Sequence, residues 1–125
     1  MASELRVNTL KDAAGANSVA VSTVASGSAK AWVNFNATGT PAARDSFNIS
    51  SITDLETGRF TLNFSNSMDN ADFAAVTSGG SHNVAGMFGY MYSPTTSSTN
   101  LEFINTSASL ADPVFATSDV NGDLA

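Results

Sequence analysis

AKAWVNFNATGTPAARDSFNISSITDLETGRFTLNFS, residues 29–65, is the stretch that decides the fold. It holds three alternating runs. In the first, Ala31, Val33 and Phe35 fall on one side, with Lys30, Asn34 and Asn36 on the other. In the second, Phe47 and Ile49 alternate with Ser46, Asn48 and Ser50; in the third, Phe60, Leu62 and Phe64 face away from Arg59, Thr61 and Asn63. A period of two marks a strand with one buried and one wet face. The runs are separated by Thr38-Gly39-Thr40-Pro41 and by Asp54-Leu55-Glu56-Thr57-Gly58. Gly reaches positive φ and Pro fixes its own φ, so both links read as reversals. The stretch predicts an antiparallel meander at the core of the domain.

Working outward toward the C-terminus, Phe73 to Thr77 reads as a short strand, and Ala85 to Tyr92 as a longer one. In the longer strand Ala85, Met87 and Met91 point one way, and Phe88, Tyr90 and Tyr92 the other. With both faces apolar, one meets the core and the other meets either a second sheet of the same chain or a neighbouring subunit. Trp32 sits on the polar side of the first run, which suits packing under a loop or a neighbouring chain better than a sugar-stacking platform. Trp32, Phe88, Tyr90 and Tyr92 are therefore the candidate subunit interface. Leu101 and Phe103 resume the alternation, and Ile104 beside Phe103 suggests a bulge or a twist. No segment keeps an i, i+3, i+4 pattern of useful length. About eight short strands predict an all-β fold, an antiparallel β-sandwich or jelly-roll-like head.

Toward the N-terminus the pattern thins. Leu5, Val7, Leu10, Val19, Val21 and Val24 are sparse apolar points in residues 1–28, and Ala13-Ala14-Gly15-Ala16 breaks any strand. This is too little apolar surface to fold alone against the entropy of ordering it. Two readings stand: a disordered arm, or an extended stem ordered by packing on other chains. Leu5/Val7 and Val19/Val21 alternate, which favours the stem. The chain divides into an attachment arm (1–28), with Leu5, Val7, Leu10, Val19 and Val21 as its contacts, and a β head (29–125).

Composition limits the partners. The 125 residues make one domain with room for a core, and no cysteine offers a disulfide or a thiolate metal site. Ser and Thr make up about a quarter of the chain, so the surface hydrogen-bonds water through hydroxyls more than through ions. A net charge of −6 with five Lys and Arg disfavours nucleic acid. No apolar run approaches the ~20 residues that span a bilayer. Charges at Glu4, Arg6, Lys11 and Asp12 stand where a signal peptide would be apolar, so synthesis in the cytoplasm without general export is expected.

Little here suggests chemistry. His82 lies in a Gly-Gly-Ser loop without a nucleophile motif, and a lone histidine without cysteine makes no conventional zinc site. Asp119-Val120-Asn121-Gly122-Asp123 has calcium-loop spacing, but the chain reaches Ala125 before a bidentate Glu, and Asn-Gly is a turn signal. Asn-x-Ser/Thr triplets at Asn36, Asn48, Asn63 and Asn105 follow from composition. A non-enzymatic protein with no cofactor and no metal is expected. Three polar loops without core anchors, Asn66–Asp72, Ser78–Asn83 and Ser93–Asn100, have the character of recognition loops, with Asn70, His82 and Thr96 as representatives.

SELRVNTLKDA (3–13), VAVSTVASGSAKAWVNFN (19–36) and ARDSFNISSITDLETGRFTLNFS (43–65) together resemble a family of virion proteins in tailed bacteriophages, especially of marine and cyanobacterial hosts. That block commonly sits in tail-fibre or other surface appendage proteins. The resemblance covers about the first half of the chain. It implies a virion-surface protein and a homotrimer, with an N-terminal segment attached to other virion proteins and a β head whose loops contact a host surface glycan or protein. No catalytic residue carries over from it. A short chain without a shaft raises the alternative of a capsid decoration protein, and a carbohydrate-binding β-sandwich module is the alternative outside viruses.

Overall fold

Strands β1 (Thr9–Lys11) and β2 (Ser18–Ala20) and helix α1 (Val21–Gly27) open the chain in the computed structural model, which describes residues 3–82 and 84–125. The arm was expected to be extended; instead it folds back on itself. Thr9 pairs with Ala20, Leu10 with Val19 and Lys11 with Ser18. Asp12 builds the turn between them, accepting hydrogen bonds from Ala16 N at 3.0 Å and Asn17 Nδ2 at 2.7 Å. The Asn17 side chain is the main cause holding the Asp12 carboxyl below its usual range. Val21 does not continue the Val19 strand; with Val24 it belongs to α1. That helix lacks a side-chain N-cap and an acidic first turn, so the usual start signals are absent. Every residue from 3 to 28 is exposed.

Eight strands form the head: β3 (Ala31–Asn36), β4 (Ala42–Phe47), β5 (Ile49–Glu56), β6 (Arg59–Phe64), β7 (Ala74–Ser81), β8 (Val84–Tyr92), β9 (Ser98–Asn105) and β10 (Phe115–Asn121). They make one antiparallel sheet in the order β4-β3-β10-β7-β8-β9-β6-β5. The fold is all-β as expected, but hydrogen bonding joins in one sheet what was read as two. β7, β8 and β9 are a meander, and β10 returns to lie beside β7, which is a Greek key.

The opening stretch is two hairpins, not a three-stranded meander. β3–β4 and β5–β6 are neighbours in sequence yet occupy opposite edges of the sheet. One residue, Asn48, joins them. Its φ of 57° breaks the alternation of the second run, so β4 ends at Phe47 and β5 begins at Ile49. Since β4 and β5 are consecutive, the sheet must curl until its edges approach, and it is nearly closed. Asn48 fastens the joint: Nδ2 donates to Lys30 O at 3.0 Å and Asn66 O at 3.1 Å, while Oδ1 accepts from Asn66 N at 2.7 Å. Phe47, expected in the core, is 51% exposed as a consequence.

The core has two parts. Phe35, Phe60 and Phe103 meet edge-on or tilted, with ring centroids 5.6–6.3 Å apart, among Val33, Leu62, Leu101 and Ala116. Toward the arm, Ala31, Phe64, Met68, Phe73 and Val120 form the second cluster. Each aromatic contact of this kind adds about 0.5–1.5 kcal/mol to the area it buries.

Candidate functional site

Antiparallel geometry assigns strands to two ends of the head. Residues 28–30, 48, 65–73, 93–97 and 122–125 share the end from which the arm leaves. Residues 37–41, 57–58, 82 and 106–114 share the other. At the arm end Met68 N donates to Thr96 O at 2.7 Å, Asp69 N to Asp123 O at 2.8 Å and Ala125 N to Ser67 O at 3.0 Å. Lys30 ties the arm on: its Nζ donates to Ala25 O, to Ser28 O at 2.7 Å and to Ser28 Oγ at 3.1 Å. These carbonyls close α1, where a cation is favoured.

The three expected recognition loops therefore do not converge. Asn70 and Thr96 lie at the arm end, and His82 at the far end. Nor are the loops unanchored: Met68, 1% exposed, pins residues 65–72 to the core. Ser78–Ser81 belongs to β7, and Asn83 lies outside the described residues. Gly79, read as loop, is needed in that strand because a Cβ there would meet Phe103 Cδ1 at 2.7 Å. Ser98–Asn100 likewise belongs to β9, with Thr99 fully buried. At the far end His82 stacks edge-on to Phe115 at 5.3 Å, and the Arg44 guanidinium covers the same ring at 4.8 Å. Arg44 also donates to Val114 O at 2.7 Å and Phe35 O at 2.9 Å.

The candidate interface residues share the outer face of the sheet. Trp32 is on β3, and Phe88, Tyr90 and Tyr92 are on β8, with β10 and β7 between. Met87 and Met91 face inward as expected; the Ala85 side chain lies outside the described residues. Register fills the gap. Phe47 lies opposite Trp32, Trp32 opposite Asp119, and Asp119 opposite Val76. In the next row Asn34, Thr117, Ser78 and Phe88 follow one another. Val76 is 74% and Phe88 61% exposed. A groove of about 470 Å³ runs between Trp32 and Val76 over Thr117 and Asp119. Phe47 and Val76 were missed in the sequence because their faces depend on register, which a lone strand does not reveal.

Beside this face lies a polar row. Tyr90 Oη donates to Glu102 Oε1, Arg59 Nε donates to Glu102 Oε2 at 2.5 Å, and Arg59 Nη1 to Glu56 Oε1 at 2.5 Å. Tyr90, Glu102, Arg59 and Glu56 are successive register partners across β8, β9, β6 and β5. Glu102 is buried between its partners. The Tyr90 hydroxyl first, then the Arg59 guanidinium, hold the Glu102 carboxyl below its usual range, against burial. The same contact raises the Tyr90 phenol, and Glu102 and Glu56 raise Arg59. Both carboxylate oxygens of Glu102 are thus engaged inside the row, whereas Glu56 at its end is engaged through Oε1 alone.

Asp119 and Asn121 belong to β10, so the five residues from Asp119 to Asp123, read as a terminal turn, are strand in their first part. Among the described residues no three His, Cys, Asp or Glu side chains converge as ion ligands. No helix among the described residues is long and apolar enough to cross a membrane. No protein-family model, no curated protein and no solved structure matches this chain.

Proposed function

We propose that the chain is a non-enzymatic structural protein of a bacteriophage virion, a tail-fibre or surface appendage that contributes to host attachment. The observation that carries this reading is the division of labour in the fold. A head with its own two-part core bears an arm in which Leu5, Val7, Leu10, Val19, Val21 and Val24 are all exposed, 36–78% by residue. An apolar segment with no cover of its own suits docking to other virion proteins, as the resemblance of residues 3–13, 19–36 and 43–65 implies. The far end of the head, with residues 37–41, His82, Arg44 and Phe115, is then the end that faces outward. Host contact falls to it, not to Asn70 and Thr96 beside the arm.

The head works as a homotrimer whose subunits meet on the outer face of β3, β10, β7 and β8, around Trp32, Val76, Phe88 and Tyr90, with Tyr92 at its margin. Within each head the curled sheet packs as a flattened sandwich, β3 and β10 facing β6 and β9 across the phenylalanine cluster. Quantitative mass spectrometry of purified virions tests the reading. Tens of copies or fewer per particle are expected; hundreds would make it a capsid decoration protein, and absence from the particle would overturn the virion role.

A further inference from the structure

We infer that the seam between β4 and β5 accepts an extended strand, and that residues Ser3–Val7 of a second copy of this chain supply it. Among the described residues β4 pairs only with β3 and β5 only with β6, while the six other strands of the head are paired on both sides. The two edges part at Asn48 and leave a crevice of about 240 Å³, lined by Pro41, Ala43 and Ser46 on one side and Ile49–Ile52 on the other. Ile49 and Ile52 pack against the core yet stay half-buried, whereas Phe60 and Leu62 on the adjoining strand are fully buried. The seam thus combines open backbone donors and acceptors with an unfinished apolar floor, which is what strand addition requires. Arg44, the one cation on β4, does not guard it, because its guanidinium is turned to Phe35 O and Val114 O.

Ser3–Val7 matches this site in length and pattern. Leu5 and Val7 alternate with Glu4 and Arg6, and five residues is an ordinary strand. Leu5 is 78% exposed, and the segment makes no hydrogen bond to its own head among the described residues. Glu4 and Arg6 bond to each other at 3.0 Å on the opposite side. Charge also selects the arm: the whole −6 resides in the head, since Glu4 and Asp12 balance Arg6 and Lys11. Two heads repel, but a neutral strand meets no such barrier. Seated in the seam, it runs antiparallel to one edge and parallel to the other, with Leu5 and Val7 on Ile49 and Ile52, while exposed Leu10, Val19, Val21 and Val24 are left to dock on other virion proteins. Donation from copy to copy is head-to-tail and closes as a ring of three, so this inference rests on the proposed trimer.

The cysteine-free chain allows a direct test. Full-length Leu5→Cys chain and Ile52→Cys chain carrying a mass tag are refolded together and oxidised, with Leu5→Cys plus equally tagged Ser107→Cys, exposed and away from both seam and outer face, as control, and the wild-type mass is measured by light scattering. A disulfide-linked band joining one tagged and one untagged chain, confined to the first pair, is expected. A trimeric mass without that band overturns the strand site and leaves the trimer on the outer face. The band with another oligomeric mass keeps the strand site and overturns the trimer. In full-length chain carrying Leu5→Asp and Val7→Asp, the oligomer should be lost with an unchanged circular dichroism spectrum; persistence of the oligomer would also overturn the strand site.

Discussion

Thr99 carries the one buried side-chain oxygen without a hydrogen-bond partner among the described residues. It faces inward on β9, two positions before Leu101, where an apolar residue of the same shape would cost nothing. Removing an unpaired buried hydroxyl by Thr99→Val should raise stability by about 1 kcal/mol, read from urea unfolding. A loss of that size would mean that the hydroxyl has a partner in solution. Glu102 makes a second prediction. Its carboxyl titrates lower folded than unfolded, so the stability it confers is fully present above the ordinary glutamate value of 4.5 and is lost as pH falls through the folded value. Tyr90 runs the other way: its raised phenol confers stability below its ordinary value of 10.0 that is lost as pH rises through the folded value. Tyr90→Phe should flatten the melting-temperature profile at both ends, and Glu102→Gln should flatten the acid end most. Identical profiles would show that the row is decorative. None of this was legible in the sequence, because Tyr90, Glu102 and Arg59 become neighbours only through the register of three strands. Asn48 was equally hidden. It looked like one polar position in an alternating run, and its positive φ is a property of the closed sheet, not of its neighbours in sequence.

At the scale of elements, the strands that alternate were readable and those made of small residues were not. β3 and β6 show their inward faces as Val33 and Phe35 or Phe60 and Leu62, because bulky residues are needed where one strand supplies the core. β7 reads as loop from Ser78 because Gly79 and Gly80 have turn composition. The core explains the discrepancy. Phe103 on β9 lies over Gly89 on β8 and reaches Gly79 on β7, where added Cβ atoms would stand 2.7–2.8 Å from its ring. A large ring on one strand requires absent side chains on the next two. Gly79→Ala or Gly89→Ala should therefore destabilise by about 1–3 kcal/mol through overpacking. Phe103→Ala should cost about 3–5 kcal/mol through the cavity it leaves. If Gly79→Ala proves harmless in urea unfolding but soluble β structure persists in Phe103→Ala, then the ring is free to move and the two glycines serve another purpose.

For the whole molecule, apolar density rises in the sequence at about residue 29, and burial begins there as well. The curled single sheet was not legible, since sequence order is silent on which edges meet. The arm's internal structure was missed for a related reason: Asp12 and Asn17 close its hairpin through side chains, with no apolar pattern to announce it. What the arm does for the head can be separated from what it does for assembly. No residue between 3 and 28 is buried, and neither core cluster includes one. The arm's link to the head runs through Lys30, whose backbone is held independently by Val120 O at 2.8 Å and Asn48 Nδ2 at 3.0 Å. A chain beginning at Ser28 keeps those bonds and both clusters. It should unfold cooperatively, with a melting temperature within about 4–8 °C of the full chain, which corresponds to about 1 kcal/mol for a domain of this size. It should also be monomeric at micromolar concentration, because the outer-face contact alone must then hold heads of like charge together without the strand offered to the seam. A much larger drop in melting temperature at low protein concentration, where the full chain is itself dissociated, would mean that residues 1–27 complete the sheet of their own head. The arm would then be a structural strand in its own subunit and not the means by which subunits join.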